Sequence, residues 1–139
     1  MIVILDVNII LSALIKDSTT REIIIKSGFD FCFPEPSLEK IRKYKSLILE
    51  KSGLSAFEFL VILHHLFCFV RMVPTEEVLF HWKESKRIME HIDPEDVTII
   101  SCALSQEEAI IWSDDKHFDQ QKEMPHFKTH EILKLFKIR

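Results

Sequence analysis

Residues 2–5 of the chain read IVIL, and Asp6 follows at once. A continuous run of β-branched residues and leucine, without alternation, is what a strand covered on both faces requires. Strands of that kind lie in parallel sheets, and parallel neighbours are joined only through crossover segments, usually helices. The same stretch poses a chemical question. A carboxylate at the tip of a buried strand needs a cation, a hydrogen-bond donor or a proton.

The rest of the chain supplies the crossovers. Helical spacing runs from Asn8 to Lys16, and Thr19 with Glu22 fits a capping box for a helix that stops at Gly28. FDFCF at 29–33 is the second predicted strand, punctuated by Pro34 and Pro36. An amphipathic helix is then expected from Ser37 to Lys51, with Leu38, Ile41, Tyr44, Leu47 and Ile48 on one side. After Gly53, Ser55 and Glu58 form a second capping box for a helix to His65, and FVRMV at 69–73 is a third strand. Thr75 caps a helix expected to continue to His91, and Asp93-Pro94 opens another that reaches Ser105. AIIW at 109–112 is a strand that ends in Ser113-Asp114-Asp115, and a short strand near Phe127 precedes a helix from Glu131 to Lys137. Strands alternating with helices predict a three-layer α/β/α domain over residues 1–139, with a central parallel sheet of about five strands.

Composition removes several functions. Gly28 and Gly53 are the only glycines, so neither the dinucleotide-binding turn nor the phosphate-binding loop can be built. Cys32, Cys68 and Cys102 are odd in number and far apart, which excludes a zinc knuckle or disulfide framework and reads as three small core residues. The longest apolar stretch, 59–70, is too short for a membrane span and carries two histidines, and Asp6 interrupts any signal-peptide core. A cytoplasmic protein without membrane attachment is expected. The net charge of −4 gives no general attraction to nucleic acid, although a cluster of ligand carboxylates would itself make the total acidic.

In an open parallel sheet the site lies at the carboxyl ends of the strands. Asp6 occupies such an end, Asp114 and Asp115 another, and Glu39 falls in the first turn of the helix after the second strand. Asp93 and Asp96 flank the helix start at Pro94. Taken singly, each has an ordinary role as cap, dipole partner or turn residue. If they converge, like charges drive their pKa values up, and a hard divalent cation resolves the conflict. Oxygen ligands suit Mg²⁺ or Mn²⁺, and phosphoryl transfer is the chemistry such clusters most often serve.

The order of these segments resembles the PIN-domain family of metal-dependent ribonucleases over nearly the whole chain. LDVNIILSALI looks like that family's opening strand and Asp-x-Asn, PEPSLEKIRKY like the segment that delivers its glutamate, DPEDVTIISCAL like that of its central aspartate, and IIWSDDKHF like its Ser/Thr-x-Asp-x-x-Phe segment. The resemblance implies a catalytic, metal-holding set of Asp6, Glu39, Asp96 and Asp115, with Asp114 able to replace Asp115 and Asp93 as an additional acid. It assigns Asn8 and Ser113 to organising the site. It implies a PIN-like fold, an endoribonuclease that uses Mg²⁺ or Mn²⁺, an RNA substrate, and either the toxin of a toxin–antitoxin pair, akin to the VapC type, or an RNA-processing enzyme. A homodimer and an antitoxin protein are the partners it suggests.

Other features have plainer readings. Lys40, Arg42, Lys43, Lys45 and Lys51 read as the solvated face of a helix, with an RNA backbone as the functional alternative, and Tyr44 has the spacing of a core residue although it could stack on a base. Lys116 reads as a solvated lysine, or as a phosphate contact. The seven histidines, His117 among them, show no tight ligand cluster in the sequence. A haloacid-dehalogenase-type phosphatase wants a second aspartate where Asn8 stands, and a receiver domain wants an acceptor aspartate after FVRMV, where Pro74 stands. A non-catalytic RNA- or protein-binding module of the same fold is the remaining alternative.

Overall fold

A computed structural model of the chain describes residues 1–15 and 18–138. Five strands, β1 (Ile2–Leu5), β2 (Asp30–Pro34), β3 (Val70–Val73), β4 (Ile110–Trp112) and β5 (His126–Phe127), form one parallel sheet in the order β3-β2-β1-β4-β5. β1 sits at the centre, with Ile4 opposite Cys32 on one side and Ile111 on the other. The chain first winds from β1 to β2 to β3, then crosses back to β4 on the far side of β1. The order therefore reverses between β1 and β4, and a doubly wound sheet opens its crevice at that reversal.

Alternation along the strands divides the core in two. Val3, Leu5, Phe31, Phe33 and Trp112 face one layer, and Ile4, Cys32 and Ile111 face the other. The first layer holds α1 (Val7–Ala13), α2 (Thr19–Lys26), α3 (Leu38–Lys43), α4 (Lys45–Ser52), α5 (Ala56–Phe67) and α9 (Thr129–Ile138). The second holds α6 (Thr75–Leu79), α7 (Trp82–Met89) and α8 (Val97–Leu104). This is the expected three-layer arrangement. Buried Ser85 and Ser101 tie the second layer together by donating to the carbonyls of Val97 and Val78.

Several boundaries differ from expectation for identifiable reasons. Ser18, not Thr19, caps α2, its hydroxyl accepting from the Arg21 N–H, while Ser55 and Glu58 form the expected capping box at α5. The predicted 37–51 helix opens with a 3₁₀ turn at Glu35–Ser37 and breaks at Tyr44, and Tyr44 and Leu47 are left 36% and 44% exposed. The predicted 75–91 helix breaks at Phe80–His81. Pro74, not Thr75, stands at the cap of α6, and the Glu35 carboxylate accepts from the Thr75 N–H and hydroxyl instead. α1 ends at Ala13, and Lys16, its expected last residue, lies outside the described residues. Cys32 and Cys102 are buried, but Cys68 is exposed, which corrects its reading as a core residue. Among the described residues, no helix is long and apolar enough to cross a membrane.

Candidate metal centre

Asp6 leaves β1 at the reversal point. Its N–H donates to the Trp112 carbonyl of β4 at 3.2 Å, so the ladder between the two strands extends to the carboxylate itself. Asp6 has the backbone of a helix cap, yet its side chain makes no capping bond. It turns instead to Ser113, the first residue after β4, whose hydroxyl donates to Asp6 Oδ2 at 2.6 Å. The Ser113 oxygen also accepts the Asp115 N–H at 3.0 Å. One buried hydroxyl thereby fixes two acidic residues from opposite sides of the crevice. Burial holds the Asp6 carboxyl above its usual range, with the Asp115 charge adding to it and the Ser113 and Val7 hydrogen bonds working against it.

The second layer delivers two more acids. Asp93 caps a 3₁₀ turn, Pro94–Asp96, by accepting the Glu95 N–H at Oδ1. That turn leads straight into α8 and presents Asp96, which is 6% exposed. The Asp96 carboxyl is pushed up to about 7, first by burial and then by the charges of Asp6, Asp93 and Asp115, with the His117 hydrogen bond opposing. The local helix-start reading of Asp93 is correct, and it coexists with a place in the cluster.

His117 corrects the sequence reading of the histidines. Asp115 accepts the His117 N–H at 2.9 Å and caps the 3₁₀ turn Lys116–Gln120, which folds the imidazole back over the carboxylates. Nδ1 lies 2.8 Å from Asp93, 3.1 Å from Asp115 and 3.3 Å from Asp96. Partial burial pulls this imidazole down, but Asp115, Asp96 and Asp93 outweigh it and hold the net pKa above the ordinary histidine range. The carboxylates thus favour the protonated form of the imidazole. Ligand-type atoms of Asp93, Asp96 and His117 lie within 4.8 Å of one another, the span a single ion covers.

Not every predicted residue joins this cluster. Asp114 faces away, accepting the N–H and hydroxyl of Thr129 at 2.8 and 2.5 Å, where it caps the start of α9. Of the two adjacent aspartates, Asp115 is the one beside the other acids. Glu39 stands on the first turn of α3, exposed, with its carboxylate 2.6 Å from Arg42. Asn8 is exposed on α1 and, among the described residues, makes no side-chain hydrogen bond to the carboxylates. Lys40 lies close enough to Asp6 to favour its ionised form, and its ammonium is 3.4 Å from Glu95. The buried Cys32 thiol is pushed up to about 11, which makes it a poor nucleophile.

The donor set fits a hard divalent cation. Four carboxylates converge where burial and mutual repulsion leave one of them with a pKa near neutrality. The carboxylate oxygens suit Mg²⁺ or Mn²⁺. A family model described as a PIN domain matches residues 4–130, a span that includes all of these groups. No curated protein matches the chain.

Proposed function

The chain belongs to the PIN-domain family, whose members are generally nucleases, and from that premise we propose that it is a divalent-metal-dependent endoribonuclease. The observation that carries the proposal is the convergence of Asp6, Asp93, Asp96 and Asp115 at the β1–β4 reversal, with the His117 imidazole against the last three. These four would hold Mg²⁺ or Mn²⁺, with His117 beside them as a further donor. When bound, the ion supplies the Lewis acid that activates water and offsets the charge developing on the phosphate.

The chain's own residues do the rest. Ser113 ties Asp6 and Asp115 together, which would pre-position both for the ion. His117 sets Nδ1 2.8 Å from Asp93, where it would hold a proton when no ion is bound and give it up when one is. Lys40, at the rim, offers an ammonium to a phosphate oxygen. Glu39, also at the rim, has its carboxylate held by Arg42.

The test is cleavage of a labelled single-stranded RNA by wild type, Asp6→Asn and Asp96→Asn, with Mg²⁺ or Mn²⁺ and with EDTA. A deoxyribose version of the same strand checks the choice of RNA. Equal activity of all three proteins would sink the site assignment. Failure to bind Mn²⁺ at millimolar concentration, read by calorimetry, would favour a non-catalytic binding module. An adjacent reading frame for a DNA-binding antitoxin would mark the protein as the toxin of a pair, and its absence would favour RNA processing. Exposed Phe57, Leu60 and Val61 on α5 support a homodimer, which light scattering tests.

A further inference from the structure

A groove of about 380 Å³ runs between α1 and α4, outside the metal centre. Asn8, Leu11 and Ile15 line it from α1 and the turn after it, and Tyr44, Leu47 and Lys51 from the α4 side. Both sets follow helical spacing, so two ridges face each other over roughly 10 Å. Asn8, which lines the groove, stands two residues after Asp6 in the chain.

Two properties decide what fits. First, its walls are apolar and accessible, with Tyr44, Leu47 and Ile15 exposed by 36%, 44% and 47%. Tyr44 was expected in the core, but the break between α3 and α4 sets its ring at the groove instead. Second, the segment from Lys40 to Lys51 carries five cations and one acid in a chain whose net charge is −4. Arg42 and Lys40 are engaged by Glu39 and Glu95, and Lys45 lies over the Phe59 ring. Lys43 lies over the Tyr44 ring, 5.6 Å from its centroid, where a stacking base would displace its ammonium toward a phosphate, and Lys51 lines the groove. An aromatic platform with ammonium groups beside it is how proteins hold single-stranded nucleic acid, through base stacking and phosphate pairing.

We propose that the α1–α4 groove is a nucleotide subsite for single-stranded RNA, in which a base next to the cleaved bond stacks on Tyr44 while Lys43 and Lys51 meet the flanking phosphates. The proposal rests on the ribonuclease reading and adds where the substrate strand lies. Leu11 and Leu47 flank the stacked base. The amide of Asn8 and the hydroxyl of Ser12 supply polar contacts for its edge.

The probe is a fluorescein-labelled uridine dodecamer whose binding to the full chain is followed by anisotropy in EDTA, with cleavage measured separately in Mn²⁺. Tyr44→Phe keeps the ring and should bind like wild type, while Tyr44→Leu should bind about 5- to 100-fold more weakly. Lys43→Gln with Lys51→Gln should lower the slope of log affinity against log salt by about 1.4. A 4-thiouridine strand should photo-crosslink at Tyr44. Unchanged thermal midpoints show that the variants remain folded. If Tyr44→Leu and the lysine pair leave affinity unaltered, the subsite is overturned even where cleavage is robust, and an apolar peptide becomes the better occupant. If binding depends on Tyr44 but wild type cleaves nothing, the subsite stands and the hydrolase reading falls.

Discussion

Asp96→Asn should make the metal-free protein more stable while abolishing its chemistry. Asp96 is 6% exposed and its carboxyl titrates near 7 in the fold, against 3.8 as the ordinary value. A raised carboxyl means that the fold prefers the protonated form. That preference is fully present below about pH 4 and is lost as pH rises through about 7, where the folded group must ionise among Asp6, Asp93 and Asp115. The difference in pKa corresponds to ~4 kcal/mol, a ceiling because the neighbouring groups titrate together. Asparagine stays neutral throughout. Urea denaturation in EDTA should therefore find wild type and variant nearly equal at pH 4, and the variant ahead by up to ~4 kcal/mol at pH 8, on the order of 10 °C in thermal midpoint. Mn²⁺ at a hundredfold excess over its dissociation constant should restore about 2.7 kcal/mol to wild type and far less to the variant. A flat difference between the two proteins from pH 4 to pH 8 would refute the claim that the carboxylates are crowded.

Asp115→Asn should lower the cleavage rate by roughly 100-fold, whereas Asp114→Ala should cost about 1 kcal/mol of stability by uncapping α9 and leave cleavage intact; equal losses of activity would contradict the division of labour. Ser113→Ala strands a buried carboxylate without its donor and should cost about 1.5–3 kcal/mol in metal-free protein, more at pH 8 than at pH 4, because that hydrogen bond favours the ionised form of Asp6. The imidazole of His117 should titrate above the usual histidine range in EDTA, and its stabilising contact should fade as pH rises through that value; NMR should show the pKa falling on addition of Mg²⁺, and no change would place the ion elsewhere.

The strands were legible because each has a local signature, while the acids could be read only as candidates, of which Glu39 and Asp114 pair elsewhere. IVIL must be covered on both faces, and acids at strand ends and helix starts mark a sheet edge. What was hidden depends on turns that return. Nothing in the sequence marks His117 as a ligand-side group until the 3₁₀ turn after Asp115 folds it back. Asp114 and Asp115 are adjacent in sequence, and they part because Thr129 takes Asp114 while Ser113 and the His117 N–H hold Asp115. Tyr44 has core periodicity, but periodicity assumes an unbroken helix, and the break falls on that residue. The helix that Asp96 leads into follows another helix rather than a strand, so no local signal places it at the sheet edge, and the packing of α8 on β1 carries it there.

The Ser113–Asp6 hydrogen bond joins residues 107 positions apart. At synthesis rates of about 5–20 residues per second, several seconds pass between the appearance of the first partner and that of the second. During that interval β1 has no β4 to pair with, and Asp6 has no donor from Ser113 and no Asp115 charge near it. An emerging chain therefore carries no assembled centre, and any fragment that ends before Ser113 carries none either. The long sequence separation acts as a timer, keeping the proposed activity silent until almost all of the fold is available.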